Sequence, residues 1–363
     1  MRVARVSLTY RSDDRPGIGN HVYYLSKYSK LSTTIYTFQG DYPPSFLAGV
    51  EIKQGNFFYP GLKNVSYLRL IRFLFKAYCW LSLEMLMSRY DIVHCHSPHF
   101  LPLLRLLSFV KKFKVLQSWH GSDAAFVMKY PRLSFLFNAD GHTLVEPSLS
   151  AKISKLKGKR YISSSGVELS GIKKAIDDFQ PKHINSTSNK YVCVANVRPV
   201  KNLEMLIEVM YQLRFYQSNL NVSILGDLND SQEVVKIKKL IADRNLNNHV
   251  HFLGSVSKEI VYKEILNSRA LILTSLSEGM PKVVIESLAL GVPVVSTDVG
   301  NVKQLIGDYG AVVGVNKINE MMIALVGLSR VDFTKQKKNI QKRISRYDWS
   351  VIAKFYEGIY ESL

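Results

Sequence analysis

Residues 271–300 read LILTSLSEGMPKVVIESLALGVPVVSTDVG, a succession of strand, loop, helix and strand. Leu271–Thr274 and Val292–Thr297 are short apolar runs, which is typical of strands buried in a parallel sheet. Pro281–Leu290 predicts a helix, because a proline suits its first position and Gly291 follows its end. A strand, a crossover helix and a second strand form the repeating unit of a parallel sheet. The stretch therefore predicts an α/β fold.

The rest of the chain repeats this alternation and predicts two domains. A length of 363 residues suits two domains of ordinary size. A polar stretch containing Pro181 interrupts the alternation and predicts a linker over residues 173–190. We therefore expect a first domain over residues 1–172 and a second over residues 191–346.

The charge of the chain predicts an anionic partner. Lysine and arginine number 48 against 29 aspartates and glutamates, which gives a formal net charge of +19 at pH 7. Nucleic acid, anionic lipid head groups and phosphorylated substrates would each suit this excess. The basic residues are dispersed and carry no signature of a nucleic-acid-binding module, so nucleic acid is not an expected partner.

The cysteines and the N-terminal residues predict a cytoplasmic protein. The three cysteines are an odd number and lie far apart, which disfavours a disulfide framework and favours a reducing compartment. Residues 1–10, MRVARVSLTY, are too short and too alternating for a secretory signal. No run reaches the roughly 18 apolar residues of a membrane span.

Residues 65–89 predict a long helix that is both apolar and basic. Its apolar residues at helical spacing are Leu68, Ile71, Phe75, Leu81 and Met85, and its basic residues include Arg69, Arg72 and Lys76. One interpretation is a helix packed on the sheet with a solvated basic face. The other is a helix whose basic, aromatic-rich face meets an anionic membrane.

Two loops of the first half are candidate ligand sites. Gly17-x-Gly19, between the first strand and the first helix, can cradle phosphate on free backbone N–H groups. It lacks the third glycine of a dinucleotide fingerprint, so a tight turn is the alternative. His120-Gly121 ends another strand and would place an imidazole at the mouth of the sheet. A histidine that serves only the turn is the alternative there.

A group of histidines and a cysteine superficially resembles a metal site. The group comprises His94, Cys95, His96 and His99. On a strand Cys95 points away from its two neighbours, so a single site would have poor geometry. We expect no bound metal ion.

The loop of residues 196–201 is a candidate diphosphate site in the second half. Arg198 and Lys201 lie directly before a helix predicted at Asn202–Phe215. Cations and a helix N-terminus together suit a diphosphate, whereas a solvated basic loop is the alternative. The next strand, Asn221–Leu225, ends at Gly226.

The chain resembles glycosyltransferase family 4, a group of retaining, nucleotide-sugar-dependent enzymes with the GT-B fold. The motifs of the second half are VANVRPVKNLEMLIE (194–208), VHFLGSV (250–256) and SLSEGMPKVVIESLALGVPVVSTDVGN (275–301). Looser matches are GIGNHVYYLSK (17–27), DIVHCHS (91–97), WHGSD (119–123) and SSGVE (164–168). The resemblance implies two Rossmann-like domains whose parallel sheets face each other across a cleft. The tail, residues 347–363, resembles the last helix of the family, which crosses back to close the first domain.

The resemblance also implies roles for individual residues. Glu286 would hold the ribose hydroxyls of the donor, Glu278 would lie near the donor sugar, and Lys201 would neutralise the diphosphate. His120 would lie beside the transferred sugar. The remaining donor-side residues are Arg198, Gly279, Met280, Pro281, Gly17, Gly19 and Gly226, and Asp123 would lie on the acceptor side.

The sequence departs from the family at three positions. Asn196 stands where an arginine is common, so Arg198 would supply the second cation from a shifted position. Ser165 and Glu168 stand where asparagine and aspartate are common, and we expect them to serve the path of the chain out of the first domain.

The resemblance implies transfer of a hexose-type sugar from a UDP- or GDP-sugar to a lipid-linked or growing cell-surface glycan. The implied partners are the nucleotide sugar, that acceptor and an anionic membrane surface, and the implied location is the cytoplasmic face of the membrane. No permanently bound cofactor is expected. The alternatives are another GT-B enzyme, such as a sugar-nucleotide epimerase or a phosphorylase, and a basic nucleic-acid-binding protein. Eight helical residues rise about 12 Å, so Glu278 and Glu286 do not form a glycosidase pair, whose carboxyls lie roughly 5 Å apart.

Overall fold

Two compact units make up the protein. The first comprises Met1–Gly166 with Trp349–Leu363, and the second comprises Val167–Asp348. The computed structural model describes residues 1–10, 17–39, 46–58, 66–121, 123–124, 131–145, 147, 149–179, 189–217, 219–328 and 337–363.

A parallel sheet forms the centre of the first unit. Its strands are β1 (Arg2–Val6), β2 (Ser32–Gln39), β3 (Val50–Phe58), β4 (Ile92–Cys95), β5 (Lys114–Trp119), β6 (Gly141–Leu144) and β7 (Lys159–Ile162). In the described part of the chain they are ordered β3-β2-β1-β4-β5-β6-β7. Every residue of β4 and β6 is buried, as expected for parallel strands covered on both faces. The strand order reverses between β1 and β4, and such a switch point is where open α/β sheets bind ligands.

Helices cover the first sheet. They are α1 (Ile18–Tyr28), α2 (Tyr67–Met87), α3 (Leu101–Lys111), α4 (Leu149–Lys152) and the closing helix (Trp349–Ser362), with short helices at Pro98–Phe100 and Pro131–Phe137. The closing helix packs against α1, where the rings of Tyr24 and Trp349 stack with centroids 5.5 Å apart. The apolar residues of the closing helix are buried apart from Val351 and Phe355, which are 46% and 45% exposed.

The apolar residues of α2 lie on two different faces. The face turned to the core carries residues four positions apart, namely Phe73, Ala77, Leu81 and Met85. The residues Leu68, Ile71 and Phe75, which share helical spacing in the sequence, are exposed. A helix that is apolar on both faces is unusual at a protein surface. No described helix is long and apolar enough to span a lipid bilayer.

The second unit contains a second parallel sheet. Its strands are β8 (Lys190–Val194), β9 (Asn221–Leu225), β10 (Val250–Gly254), β11 (Ala270–Leu273), β12 (Val294–Thr297) and β13 (Gly310–Val313). Among the described residues the order is β10-β9-β8-β11-β12-β13, with the reversal between β8 and β11. Its helices are α5 (Leu169–Phe179), α6 (Leu203–Leu213), α7 (Ser231–Asp243), α8 (Lys258–Leu266), α9 (Lys282–Ala289), α10 (Val302–Ile306), α11 (Ile318–Leu328) and α12 (Lys337–Ile344). Two Rossmann-like units with parallel sheets confirm the predicted fold class.

The boundary between the units differs from the predicted one. The chain leaves the first unit after Gly166, and Val167 donates its N–H to the carbonyl of Tyr347 at 2.9 Å. Helix α5 occupies the start of the predicted linker at 173–190, and its Ile172 is buried in the second core. The polar composition misled the prediction, because α5 is an amphipathic helix whose outer face is charged. Residues 180–188 of that linker lie outside the described residues.

Candidate active site

Two loops at the switch point of the second sheet bring Lys201 and Glu278 together. Lys201 ends a single turn of helix, Pro199–Lys201, that follows β8, and Glu278 lies in the loop after β11. The Lys201 Nζ atom lies 2.6 Å from Glu278 Oε1, and the Ser275 hydroxyl donates to the same oxygen at 2.7 Å. The side chains are 25% and 14% exposed respectively, so solvent screens this ion pair only in part.

Backbone contacts hold the two loops in register. Leu276 donates its N–H to the carbonyl of Val200 at 2.8 Å, and the Thr274 hydroxyl donates to the carbonyl of Lys201 at 3.0 Å. These bonds fix the position of Lys201 relative to the Glu278 loop before any ligand arrives. A site held in advance in this way loses little free energy to reorganisation.

The loop after β12 packs against the Glu278 loop and forms hydrogen bonds with it. Gly300 has φ +54°, and a Cβ atom there would overlap the carbonyls of Glu278 and Gly279. Asn301 donates its N–H to the carbonyl of Gly279 at 3.3 Å, and the Thr297 hydroxyl donates to the carbonyl of Ser275 at 2.7 Å. Glycine at position 300 is therefore required for this close approach.

Glu286 lies on helix α9, which begins just after this loop. Pro281 is the residue before the helix and not its first residue, because its backbone is still extended. Glu286 is 9% exposed and lies within the helix, where most of its neighbours are buried. A carboxylate buried to this extent is costly unless it is satisfied by hydrogen bonds or a charge. Its assignment to the donor ribose stays a prediction.

The loops after β8 and β9 interlock through Asn196 and Gly226. A Cβ atom at Gly226, which has φ +151°, would overlap the carbonyl of Ala195. The Asn196 side chain accepts the N–H of Asp227 at 3.0 Å, so this residue binds the neighbouring loop. Arg198 is half exposed and lies 3.5 Å from the carboxylate of Asp227. Arg198 is thus a weaker candidate than Lys201 for the diphosphate, because its side chain is 51% exposed and less firmly held than that of Lys201, which is 25% exposed.

Cys193, at the end of β8, lies near the ion pair. Burial raises the pKa of the Cys193 thiol to about 12, with smaller opposing effects of Lys201, which lowers it, and Glu278, which raises it. The thiol is therefore protonated and unreactive at neutral pH.

A cluster of histidines lies at the switch point of the first sheet. The rings of His21 and His120 meet edge to face with centroids 5.0 Å apart, and His96 Nδ1 lies 3.4 Å from His120 Nε2. The ring of His94 packs on His96 with centroids 3.9 Å apart. The sequence predicted a role for His120 but not for His21. Only the pairing of β1 with β4 and of β4 with β5 brings these residues together.

The buried histidines of this cluster are neutral. Burial lowers the pKa of His94 and of His96 well below the usual range, and nearby positive charges add to the effect. His94 shares hydrogen bonds with the hydroxyls of Tyr360 at 2.8 Å and Ser118 at 2.7 Å. Within the described residues, no group of three or more His, Cys, Asp or Glu side chains is arranged to hold a metal ion.

The His120 loop is shaped by Asp123. Its carboxylate accepts the backbone N–H groups of His120 at 2.9 Å, Gly121 at 2.8 Å and Ala124 at 3.0 Å. Gly121 has φ +128°, a backbone conformation that residues other than glycine rarely adopt. Asp123 thus positions His120, and its predicted contact with the acceptor stays a prediction.

The glycine loop before α1 is only partly described, because residues 11–16 lie outside the described residues. Gly17 has φ +147° and accepts the N–H of His21 at 3.2 Å. A Cβ atom at Gly17 would meet nothing within 4 Å, whereas Gly19 is buried in the unit. An open glycine at the start of a helix is compatible with the approach of a phosphate to the backbone.

Comparison with known proteins finds a family match within the second unit. Residues 175–344 match the family model of the glycosyl transferases group 1. This span lies within the second unit and includes both Lys201 and Glu278. Over 86 residues the chain is 42% identical to the putative teichuronic acid biosynthesis glycosyltransferase TuaC of Bacillus subtilis, an alignment that covers 23% of this chain and 22% of that protein. The chain spans less than two thirds of the length of the curated relatives that it matches.

Solved structures share the fold over the whole chain. Sucrose-phosphate synthase from Thermosynechococcus elongatus superposes with a TM-score of 0.76 at 17% identity, covering 99% of this chain and 98% of that one. Alr3699/HepE from Anabaena, solved in complex with UDP, superposes with a TM-score of 0.71 at 14% identity over 100% of both chains. These superpositions show the fold of the chain, and the match to the glycosyl transferases group 1 lies within its second unit.

Proposed function

We propose that this protein is a retaining glycosyltransferase of family 4 that moves a hexose-type sugar from a nucleotide sugar to a lipid-linked or growing cell-surface glycan. The observation that carries the proposal is the Lys201–Glu278 pair, a cation and a carboxylate held 2.6 Å apart at the switch point of the second sheet. Both residues lie in the span that matches the glycosyl transferases group 1.

The donor would bind along the carboxyl edge of the second sheet. In this proposal Lys201 neutralises the diphosphate, Glu278 holds the sugar and Glu286 accepts hydrogen bonds from the ribose hydroxyls. The backbone of residues 279–281 contacts the sugar hydroxyls, and Gly226 lets the diphosphate approach its loop. UDP or GDP is the nucleotide, and the Anabaena structure, which holds UDP, supports the first of these.

Transfer breaks the bond between the anomeric carbon and a diphosphate oxygen and forms a bond to the acceptor oxygen. Negative charge develops on the departing diphosphate, where a fixed cation stabilises it. Lys201 supplies this cation, and Arg198 adds a second. In a retaining reaction on one face of the sugar, the acceptor proton passes to the departing phosphate oxygen. Positioning then matters more than a strong base, and we propose that neither a metal ion nor a resident cofactor takes part.

We propose further roles for three residues of the first unit. We assign His120 to contact with the transferred sugar, and Gly17 and Gly19 to contact with the diphosphate or the acceptor. The three bonds from backbone N–H groups to Asp123 support a fixed orientation of the His120 loop. Teichuronic acid biosynthesis, named for the Bacillus subtilis relative, supports a cell-surface glycan as the acceptor class. We propose a location at the cytoplasmic face of the membrane.

A panel of UDP- and GDP-sugars tests the proposal with the full chain. A donor present at 100 times its dissociation constant should stabilise the protein by about 2.7 kcal/mol, which a thermal shift detects. The stabilising donor is then incubated with lipid-linked acceptors, with and without EDTA, and nucleotide release and the anomeric configuration of the product are measured. We expect retention of configuration and no effect of EDTA. An inverted product would reject the retaining mechanism, and stabilisation by no sugar nucleotide would reject the function itself.

A further inference from the structure

Three neighbouring helices of the first unit each expose large apolar side chains. These helices are α2, α3 and the short helix Pro131–Phe137; α3 packs against α2, and the short helix packs against α3. A hydrogen bond joins the C-terminal ends of α2 and α3, where Lys111 Nζ donates to the carbonyl of Leu86 at 2.7 Å. The most exposed apolar residues, between 63% and 75% accessible, are Leu68, Phe75, Met87, Leu106, Phe109, Val110 and Phe135. We call these three helices and their exposed side chains the apolar face.

The apolar face is not explained by packing within the first unit. The core side of α2 already supplies Phe73, Ala77, Leu81 and Met85 to the sheet. The opposite side of a surface helix is normally polar. Large exposed side chains on three adjoining helices, by contrast, mark a site of protein or membrane interaction.

The exposed charges of the apolar face have a single sign. Arg69, Arg72 and Lys76 are exposed on α2, while Lys112 is exposed just after α3 and Arg132 is exposed on the short helix. These three helices carry one acidic residue, Glu84, whose carboxylate lies 2.7 Å from Lys53 Nζ. Cations interspersed with phenylalanine and leucine are the composition of segments that lie in the interface of an anionic membrane.

We propose that the apolar face docks on an anionic lipid bilayer, with its phenylalanines in the acyl boundary and its cations at the head groups. The inference deepens the proposed function, because it names the surface from which a lipid-linked acceptor is reached. The docking itself does not require transfer, so the two proposals can fail separately. The cations of the apolar face attract anionic head groups, so this surface should bind an anionic bilayer more tightly than a neutral one.

Co-sedimentation of the full chain with vesicles tests the docking. Vesicles of phosphatidylcholine alone are compared with vesicles containing about one third phosphatidylglycerol, at low and at high salt, since salt screens exposed charges. The triple variant Arg72→Gln, Phe75→Ser, Lys76→Gln alters α2 only on exposed positions. The matched control is Val235→Ser, Lys238→Gln, Lys239→Gln, which changes one exposed apolar residue and two exposed lysines on α7 of the second unit.

We expect binding to the anionic vesicles at low salt, at least a tenfold weaker partition for the α2 variant, and no change for the control. Absence of binding by the wild-type chain, or equal loss in both variants, would overturn the proposal. Sedimentation equilibrium without lipid tests whether a second copy of this chain covers the apolar face instead. A dimer that the α2 variant dissociates would assign the apolar face to a second copy of this chain.

Cys79 provides an independent probe, because it is exposed on α2 while Cys95 and Cys193 are buried. Burial raises the pKa of both buried thiols to about 12, so a thiol-reactive, polarity-sensitive dye should label Cys79 alone at neutral pH. Docking should shift the dye emission to the blue, and quenchers placed in the acyl chains should then lower the dye fluorescence. An unchanged spectrum with anionic vesicles would contradict docking through α2. The thermal shift of the α2 variant with the donor reports donor binding separately and should match that of the wild-type protein.

Discussion

The ammonium group of Lys201 lies 2.6 Å from the carboxylate of Glu278, although 77 residues separate them in the sequence. The two loops that carry them flank the switch between β8 and β11. A diphosphate entering this site competes with Glu278 for Lys201. We therefore expect donor binding to release the Glu278 carboxylate toward the sugar, which couples recognition of the two parts of the donor.

Lys201→Ala should abolish most of the transfer activity while the fold remains. Loss of one fixed group that stabilises developing charge commonly lowers kcat by roughly 10²–10³. The measurement is nucleotide release under saturating donor, with Lys238→Ala as the control because Lys238 is an exposed lysine of α7. Wild-type activity in Lys201→Ala would remove this residue from the site.

Glu286→Gln should weaken donor binding through the ribose. Hydrogen bonds to a charged group contribute about 1.5–3 kcal/mol, so UDP should bind roughly tenfold more weakly or worse. Calorimetry measures the binding of UDP and of 2′,3′-dideoxy-UDP to the wild-type protein and to the variant. The four binding free energies form a thermodynamic cycle that isolates the coupling between Glu286 and the ribose hydroxyls. We expect the wild-type protein to distinguish the two ligands and the variant to bind them almost equally. Additive losses would show that Glu286 does not touch the ribose.

The stability of the protein should fall on acidification because of His96. Burial keeps the pKa of His96 low in the folded state, whereas an unfolded histidine titrates near 6.5. Below that pH the unfolded chain binds the extra proton, so the free energy of unfolding decreases as the pH falls. Between pH 7 and pH 5.5 the wild-type protein should lose up to about 1.3 kcal/mol more than His96→Gln, as measured by urea unfolding. Parallel pH profiles for the two proteins would contradict a neutral, buried His96.

Gly226→Ala should destabilise the second unit far more than Gly254→Ala. Both glycines have positive φ angles, but a Cβ atom at Gly254 would meet nothing within 4 Å. Backbone strain of about 1–3 kcal/mol therefore applies to both positions. At Gly226 the overlap with the carbonyl of Ala195 adds about 1–3 kcal/mol of overpacking. Denaturant unfolding of the two variants measures the difference, and equal losses would mean that the loop moves aside without cost.

The part of the candidate site around Glu278 and Glu286 could be predicted from the sequence, because its residues are close together along the chain. The frame around Glu278 and Glu286 contains a strand, a loop and a helix in one short stretch, so local patterns define its layout. The length of α2 was likewise predicted, within two residues at each end. The predicted linker was wrong over α5, because charged residues on the outer face of an amphipathic helix resemble those of a loop.

Other features depended on contacts between distant residues. The sequence placed His94 and His96 on one face of a strand, and only the tertiary structure adds His21 and His120 to them. Asp123 was expected on the acceptor side, and three backbone N–H groups occupy its carboxylate. The apolar face was visible only in part, because spacing along α2 does not say which of two apolar sides is covered.

The sequence by itself determined the two βα repeats and the acidic loop at residues 271–300, since hydrophobic periodicity and turn residues act over short distances. Tertiary structure alone decided that Lys201 meets Glu278 and that Asn196 binds the Asp227 loop. It also decided that Phe75 is exposed while Phe73 is buried. The physical reason is that strand order sets these relationships, and strand order follows from how whole elements bury their apolar faces against one another.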